Sequence, residues 1–168
     1  MLDTDETRIV KAEAEELDTV FEILNDAANW LLSKGIDQWR PDSFSRNSTA
    51  EKIRLGEVYL AKRRQESIGT ITLQWSDRFF WVDDETDAGY VHKLAIKPAY
   101  TGTGLGKEML EWAEKATKAA GKNYLRLDCM YENQRIRQYY EEAGFEYRGE
   151  VRGVGWRAAL YEKLLNDR

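Results

Sequence analysis

Apolar residues recur along this chain with two alternating periods, and the switches between them lay out its elements. From Glu15 to Ser33 the steps are three and four residues: Leu17, Val20, Phe21, Leu24, Ala27, Ala28, Leu31 and Leu32. That spacing predicts an amphipathic helix, with Gly35 as its stop. Arg8–Ala12 before it reads as a short strand, and Thr49–Leu55 after it as a short helix capped by Ser48. Glu57–Arg63 and Ser67–Trp75 flank a turn near Gln65-Glu66 and read as a hairpin. Tyr90–Ile96 is a further strand. Gly104–Ala120 returns to helical spacing through Leu105, Met109, Ala113, Ala116 and Ala120, and Gly121 closes it. Tyr124–Asp128 is a strand with Cys129 just past its end. Asn133–Ala143 is a helix showing Ile136, Tyr139, Tyr140 and Ala143, and Phe145–Val151 and Trp156–Glu162 are closing strands around Gly153–Gly155.

The resulting order is β-α-α-β-β-β-α-β-α-β-β. The strand-helix-strand unit at 90–128 requires a parallel crossover, whereas the hairpins supply antiparallel pairs. The expected fold is α/β (α+β), a mixed and mostly antiparallel sheet with helices on both faces. Neither an internal repeat nor a linker interrupts it, and at 168 residues one domain spanning 1–168 is expected.

Composition narrows the function. Charged residues are 33% and hydrophobic residues 42%, as in soluble globular chains. No apolar run reaches the roughly 18 to 20 residues a membrane span needs. The net charge of −5 argues against a nucleic-acid partner. The acidic start Met1–Glu6 has no secretory pattern, and a lone Cys129 cannot form an internal disulfide, so a cytoplasmic protein is expected. Without a Cys or His cluster no metal is expected. Exposed closing strands are compatible with a homodimer.

Chemistry concentrates at Val91–Lys107, where a strand runs through Pro98 into Thr101-Gly102-Thr103-Gly104-Leu105-Gly106-Lys107 and then a helix. Amides at a helix start lack internal partners and carry the positive end of the dipole, which suits a phosphate. Glycines let the backbone bend and let an anion approach. The P-loop pattern fails, because Thr101 stands at its first glycine and Glu108 at its Ser/Thr. The dinucleotide pattern fails because Lys107 falls where a glycine is required from either start.

What remains resembles the acyl-coenzyme A binding motif of the GNAT superfamily, the GCN5-related N-acetyltransferases. Their Gln/Arg-x-x-Gly-x-Gly/Ala falls on Thr101–Gly106. Asn133, Tyr140 and Gly144-Phe145 are similar to the family's second signature. Thr101 departs from the usual Gln or Arg, but a backbone cradle does not depend on it. The resemblance spans Arg8 to about Leu164. It implies acetyl transfer from acetyl-coenzyme A to an amine, with the donor in a splay between the strands at 90–96 and 124–128.

The resemblance also implies roles. Backbone amides of Gly102, Thr103, Gly104, Leu105 and Gly106 would hold the pyrophosphate, with Lys107 either an added charge or a solvated lysine. Leu94, Ala95 and Ile96 would pair with the pantetheine arm, and a strand bulge would free the backbone N–H near Leu94 for the oxyanion. Tyr140 would protonate the departing thiolate, since a phenol stays protonated at pH 7. Asn133 caps its helix, touches the cofactor, or both. An alkylamine arrives charged and must lose a proton. His92, the single histidine, shares a strand face with Leu94 and is a candidate base, a water relay, or a structural residue. Asp83, Asp84 and Glu85 are either cation attractors or a solvated loop. Trp30, Gln38, Trp39 and Arg40, with Trp75, Phe79 and Trp81, are candidate walls for a small-molecule or peptide amine. A non-catalytic acyl-coenzyme A sensor and a generic nucleotide-phosphate binder are the competing functions.

Overall fold

The computed structural model describes residues 6–36, 44–82 and 87–165. Among the described residues, seven strands and four α-helices appear in the expected order. The strands are β1 (Arg8–Lys11), β2 (Val58–Arg63), β3 (Glu66–Gln74), β4 (Ala88–Ile96), β5 (Tyr124–Met130), β6 (Glu146–Gly153) and β7 (Trp156–Leu164). The helices are α1 (Leu17–Ser33), α2 (Arg46–Arg54), α3 (Leu105–Ala119) and α4 (Gln134–Glu142). Hydrogen bonding orders the strands β1-β2-β3-β4-β5-β7-β6. β4 and β5 pair in parallel, while β1–β2, β2–β3, β5–β7 and β6–β7 are antiparallel. Among the described residues no helix is long and apolar enough to cross a membrane.

The chain packs as two compact units, residues 1–72 with 93–109, and residues 73–92 with 110–168. In the first, Val20, Leu24 and Ala27 of the expected α1 stripe are buried, joined by Ile23, which that stripe left out. Val20, Ile23, Leu24 and Ala27 pack with Ile53 of α2, Val58 and Leu60 of β2, and Ala95 of β4. Each large aliphatic side chain so buried contributes about 1.5–3 kcal/mol. Leu32 falls off that stripe and is exposed. The β2–β3 turn sits one residue earlier than expected, at Arg64 and Gln65, both with positive φ (53° and 67°). Such a pair matches the right-handed twist of a two-residue hairpin.

The cap of α2 is Ser45, whose hydroxyl accepts the Ser48 N–H at 3.1 Å, so the Ser48 expected as cap is instead the residue being capped. Three residues separate a cap from the amide it satisfies, and Ser45 and Ser48 are spaced so that either reads plausibly in sequence.

In the second unit Trp81, Ala88, Tyr90 and Leu160 form a core flanked by Phe80, Tyr124 and Val151. β5 runs two residues past the expected end, so Cys129 lies inside the strand, buried and paired opposite Ala159. The β4–β5 register, Ala88↔Tyr124 to Val91↔Leu127, sets which residues of the two strands lie side by side.

Candidate active site

The loop before α3 is shaped by its backbone. Pro98–Tyr100 forms a 3-10 turn, in which Tyr100 N–H donates to Lys97 O and Thr101 N–H to Pro98 O. The Thr103 hydroxyl donates to Tyr100 O. Gly102 and Gly104 then take φ of 79° and 88°, in the left-handed region that glycine occupies without strain. No atom lies within 4 Å of where a Cβ would stand on either. The first helical hydrogen bond of α3 runs from Glu108 N to Gly104 O at 3.1 Å. The amides of Leu105, Gly106 and Lys107 therefore precede the helix's own bonding pattern and have no intrahelical acceptor. Residues 101–104 are exposed, so the cradle is open. Its glycines and amides fit an anionic group.

One residue of β4 departs from strand geometry. Lys93 has φ of 49°, a left-handed conformation that a long side chain adopts at a cost of about 1–3 kcal/mol. Burial, and next Lys52, push the Lys93 ammonium below its ordinary pKa, and its Nζ lies 5.6 Å from the Phe44 ring centre. Leu94 is half-buried, as is Ile96, and Ala95 is buried.

In the second unit Tyr140 is buried on α4 against Tyr139 (5.6 Å between ring centres), Phe145 (5.9 Å) and Tyr161 (6.3 Å). Burial pushes its phenol well above the ordinary value, and the nearby Cys129, Tyr139 and Asp128 add to the shift. The hydroxyl thus holds its proton throughout the neutral range. Cys129 is pushed up to about 12 by burial and Asp128, which leaves it no thiolate for nucleophilic chemistry. Asn133 caps α4, its side-chain oxygen accepting Ile136 N–H at 3.1 Å.

His92 stands between two carboxylates. Its Nε2 is 3.3 Å from Asp77 Oδ2, and its Nδ1 is 3.8 Å from Asp128 Oδ1. Burial alone would raise the Asp77 carboxyl. Hydrogen bonding to His92 and to the Phe80 and Phe79 amides overrides it and holds Asp77 below the ordinary range. Asp128 goes the other way. Burial, with Asp77 adding to it and His92 opposing, raises it to about 6.

The model of the acetyltransferase (GNAT) family matches residues 17–145. The chain belongs to that family. The uncharacterized N-acetyltransferase YesJ of Bacillus subtilis is 30% identical over 80% of this chain and 79% of its own length. A GNAT-family acetyltransferase structure from Listeria monocytogenes superposes with a TM-score of 0.82 at 28% identity, covering 95% of each chain. The PaiA N-acetyltransferase of Thermoplasma acidophilum, solved with coenzyme A, shares the fold at a TM-score of 0.75 and 22% identity, over 95% of this chain and 99% of that one.

Within this GNAT acetyltransferase the expected aromatic walls take different places. Trp30 is half-buried with Lys34 Nζ 5.8 Å from its ring centre. Trp75 is exposed in part, and one edge of its ring closes over Gly89. Trp81 is taken up by the core of the second unit, its ring beneath the Arg126 guanidinium at 4.4 Å. Phe79 and Phe80 gather with Trp156 at 6.0 and 5.9 Å. Trp39, with Gln38, Arg40, Asp83, Asp84 and Glu85, lies outside the described residues.

Tyr90 lies buried in β4. Its hydroxyl accepts from Arg126 at 2.8 Å, and Arg126 in turn pairs with the buried Glu162 at 2.8 Å, so this group is committed to structure. Asp77 and Asp128 went unnoticed in the sequence. One was recoverable: continuing the β4–β5 register one step beyond Val91↔Leu127 sets His92 beside Asp128. Asp77 is held by an Asx-type turn, accepting two amides from the residues after it, and such turns are common in any polar loop.

Proposed function

We propose that this protein transfers an acetyl group from acetyl-coenzyme A to a primary amine of a small molecule or peptide, by direct attack of the amine. The observation that carries this reading is the open glycine cradle at Gly102 and Gly104, ahead of unbonded helix-start amides, in a chain of this family. Acetyl-coenzyme A supplies an acyl group activated as a thioester.

The chain's own residues divide the rest. Amides of Gly102 to Gly106 bind phosphate oxygens, and Lys107, exposed on the first turn of α3, adds charge at the same end. Leu94, Ala95 and Ile96 offer backbone groups to the amides of the pantetheine arm. The Leu94 N–H follows the left-handed Lys93 and is the donor for the acyl oxygen as negative charge grows on it. Tyr140 holds a proton that the leaving thiolate can take, because burial keeps the phenol neutral. His92 receives the proton that a charged amine must shed before it can attack. Asn133 fixes the start of the helix that carries Tyr140. Trp30 and Trp75 are left as side walls for the acceptor, along with Trp39.

Thermal unfolding with acetyl-coenzyme A, coenzyme A, ATP and NAD added separately tests the donor. A ligand that binds only the folded chain raises its melting temperature by mass action. A rise with the two coenzyme A species, and none with ATP or NAD, is expected. Equal rises with ATP and coenzyme A would instead mean a generic nucleotide-phosphate binder. Thiol release over a panel of polyamines, amino acids, aminoglycosides and peptides with free N-termini then tests transfer. Binding of coenzyme A without turnover on any amine would mean an acyl-coenzyme A sensor.

A further inference from the structure

We propose that Asp77, His92 and Asp128 form one base assembly for a cationic amine: Asp77 positions the imidazole, His92 Nδ1 takes the proton, and Asp128 anchors the ammonium. The inference rests on the transferase reading and names the substrate charge that reading leaves open. The geometry assigns the parts. The two carboxylates face opposite ring nitrogens, so they cannot do the same job.

Asp77 is the deep member, its side chain 7% exposed against 20% for His92 and 19% for Asp128. Its Oδ1 accepts Phe79 N–H at 3.2 Å and Phe80 N–H at 3.1 Å, which stops the carboxylate from turning and aims Oδ2 at the ring. An ionised carboxylate 3.3 Å from Nε2 favours the ring proton on that nitrogen and leaves the lone pair on Nδ1. On that side Asp128 Oδ1 is 3.8 Å away, too far for a direct hydrogen bond. An ammonium has three donors, enough to reach both the Asp128 oxygen and Nδ1.

The charges around Asp128 leave it in want of a cation. Asp77 and His92 face it across the site, and Asp128 in turn raises Cys129 beside it on β5 and Tyr140 on α4. Arg137 and Glu141, which act on Cys129, are both hydrogen-bonded to the Tyr161 hydroxyl. The raised carboxyl of Asp128, about 6, is what burial produces where it outweighs the pull of His92, and an arriving ammonium would oppose it.

The step is a proton transfer. An N–H bond of the ammonium breaks, an Nδ1–H bond forms, and the electron pair stays on the amine nitrogen for attack. His92 then passes the proton to solvent at its exposed edge. The three side chains also bring donor atoms within 4.8 Å of one another, a set that could be read as a cation site. A chelator distinguishes that reading from the proton role.

The test uses the fact that the chain has a single histidine. A long-range proton–nitrogen NMR spectrum of the whole protein then contains one imidazole. The neutral ring should carry its proton on Nε2, and Asp77→Ala should mix the tautomers, with Asp77→Asn as the gentler variant if alanine impairs folding. A ring protonated on Nδ1, or one indifferent to both variants, overturns the assembly. With the amine of the panel acetylated fastest, Asp77→Ala should lower kcat about 10- to 100-fold with little change in amine KM. Asp128→Asn should raise amine KM on the order of tenfold, and Asp128→Glu should recover part of it. An unchanged amine KM in Asp128→Asn overturns the anchor, and activity that a chelator removes and zinc restores overturns the proton role. The NMR measurement needs neither donor nor amine. A mobile ring in an active transferase sinks the assembly alone, whereas a locked ring with no transfer to any amine sinks the transferase reading and this use of it.

Discussion

The glycine loop and the Asp77–His92–Asp128 cluster are two ways of making a site. The loop uses backbone. Its donors are amides that every non-proline residue has, aimed by two left-handed glycines and one helix start. Side chains at Thr101, Thr103 and Lys107 adjust it without creating it. The cluster uses side chains from a turn and two strands, and each must arrive at its distance by a different route: an Asx-type turn for Asp77, strand register for His92 and Asp128. The first kind of site is local in the chain and exposed, so it costs little desolvation. The second is partly buried, and Asp128 shows the strain of that in its raised carboxyl. Holding a donor and doing chemistry on an acceptor are therefore separable by mutation.

The largest effect should come from the chemistry. Tyr140→Phe removes one oxygen from a buried aromatic and leaves its packing against Phe145 and Tyr161 intact. Turnover should fall on the order of a thousandfold, with coenzyme A affinity unchanged in a titration. Loss of both together would mean that the two regions are not separable and that Tyr140 is a structural residue.

Next is the loop itself. Gly104→Val puts a β-branched residue at φ of 88°, where such residues are rare, and fills the open side of the cradle. Coenzyme A affinity should drop by a hundredfold or more, about 3 kcal/mol, in a protein that still unfolds cooperatively. A folded Gly104→Val that binds coenzyme A as tightly as the parent removes the cradle from the account.

A third glycine sharpens the contrast, because it is needed for a different reason. A Cβ on Gly89 would meet Thr117 Oγ1 at 2.4 Å and the Trp75 ring at 3.2 Å, so the missing side chain there makes room for packing. Gly89→Ala should destabilise the fold by about 1–3 kcal/mol without acting on the loop. Thr117 Oγ1 is buried and has no hydrogen-bond partner among the described residues, so Thr117→Ala should restore much of the loss in the double variant. Equal melting temperatures for Gly89→Ala and the parent would show that α3 yields at this point.

The same division governs what could be read from the chain. Helices and strands were legible where residues are buried at the natural period, as in α1 and β5, and the loop stood out because Gly102, Gly104 and Gly106 alternate along the chain. Errors came where two positions satisfy one rule. Ser45 and Ser48 both suit a cap, and only the hydrogen bond from Ser48 N to Ser45 Oγ tells them apart. Trp81 and Trp75 look alike as apolar candidates, yet the Arg126–Tyr90 network draws the first into a core. His92 was found because histidine is scarce here. Its partners were not, since Asp77 and Asp128 are two among many carboxylates until register selects them.

The smallest effect is the most specific to that selection. Asp128 has a folded carboxyl raised to about 6 from an ordinary 3.8, so the folded state holds its proton more tightly than the unfolded one. Its favourable contribution is then complete below the unfolded value and is lost as pH rises through 6. At pH 8 the ionised side chain is a burden on the fold. A two-unit shift corresponds to about 3 kcal/mol at most, and partial exposure to water reduces that to about 1–2. Asp128→Asn should accordingly melt higher than the parent at pH 8 and lose that advantage near pH 4. Equal stability at pH 8 would mean that Asp128 is better solvated than its surroundings allow. If the gain is present, an alkylammonium ion added to the parent should recover part of it and do nothing for the asparagine variant, because the carboxylate that burdens the fold is the one that would hold the substrate.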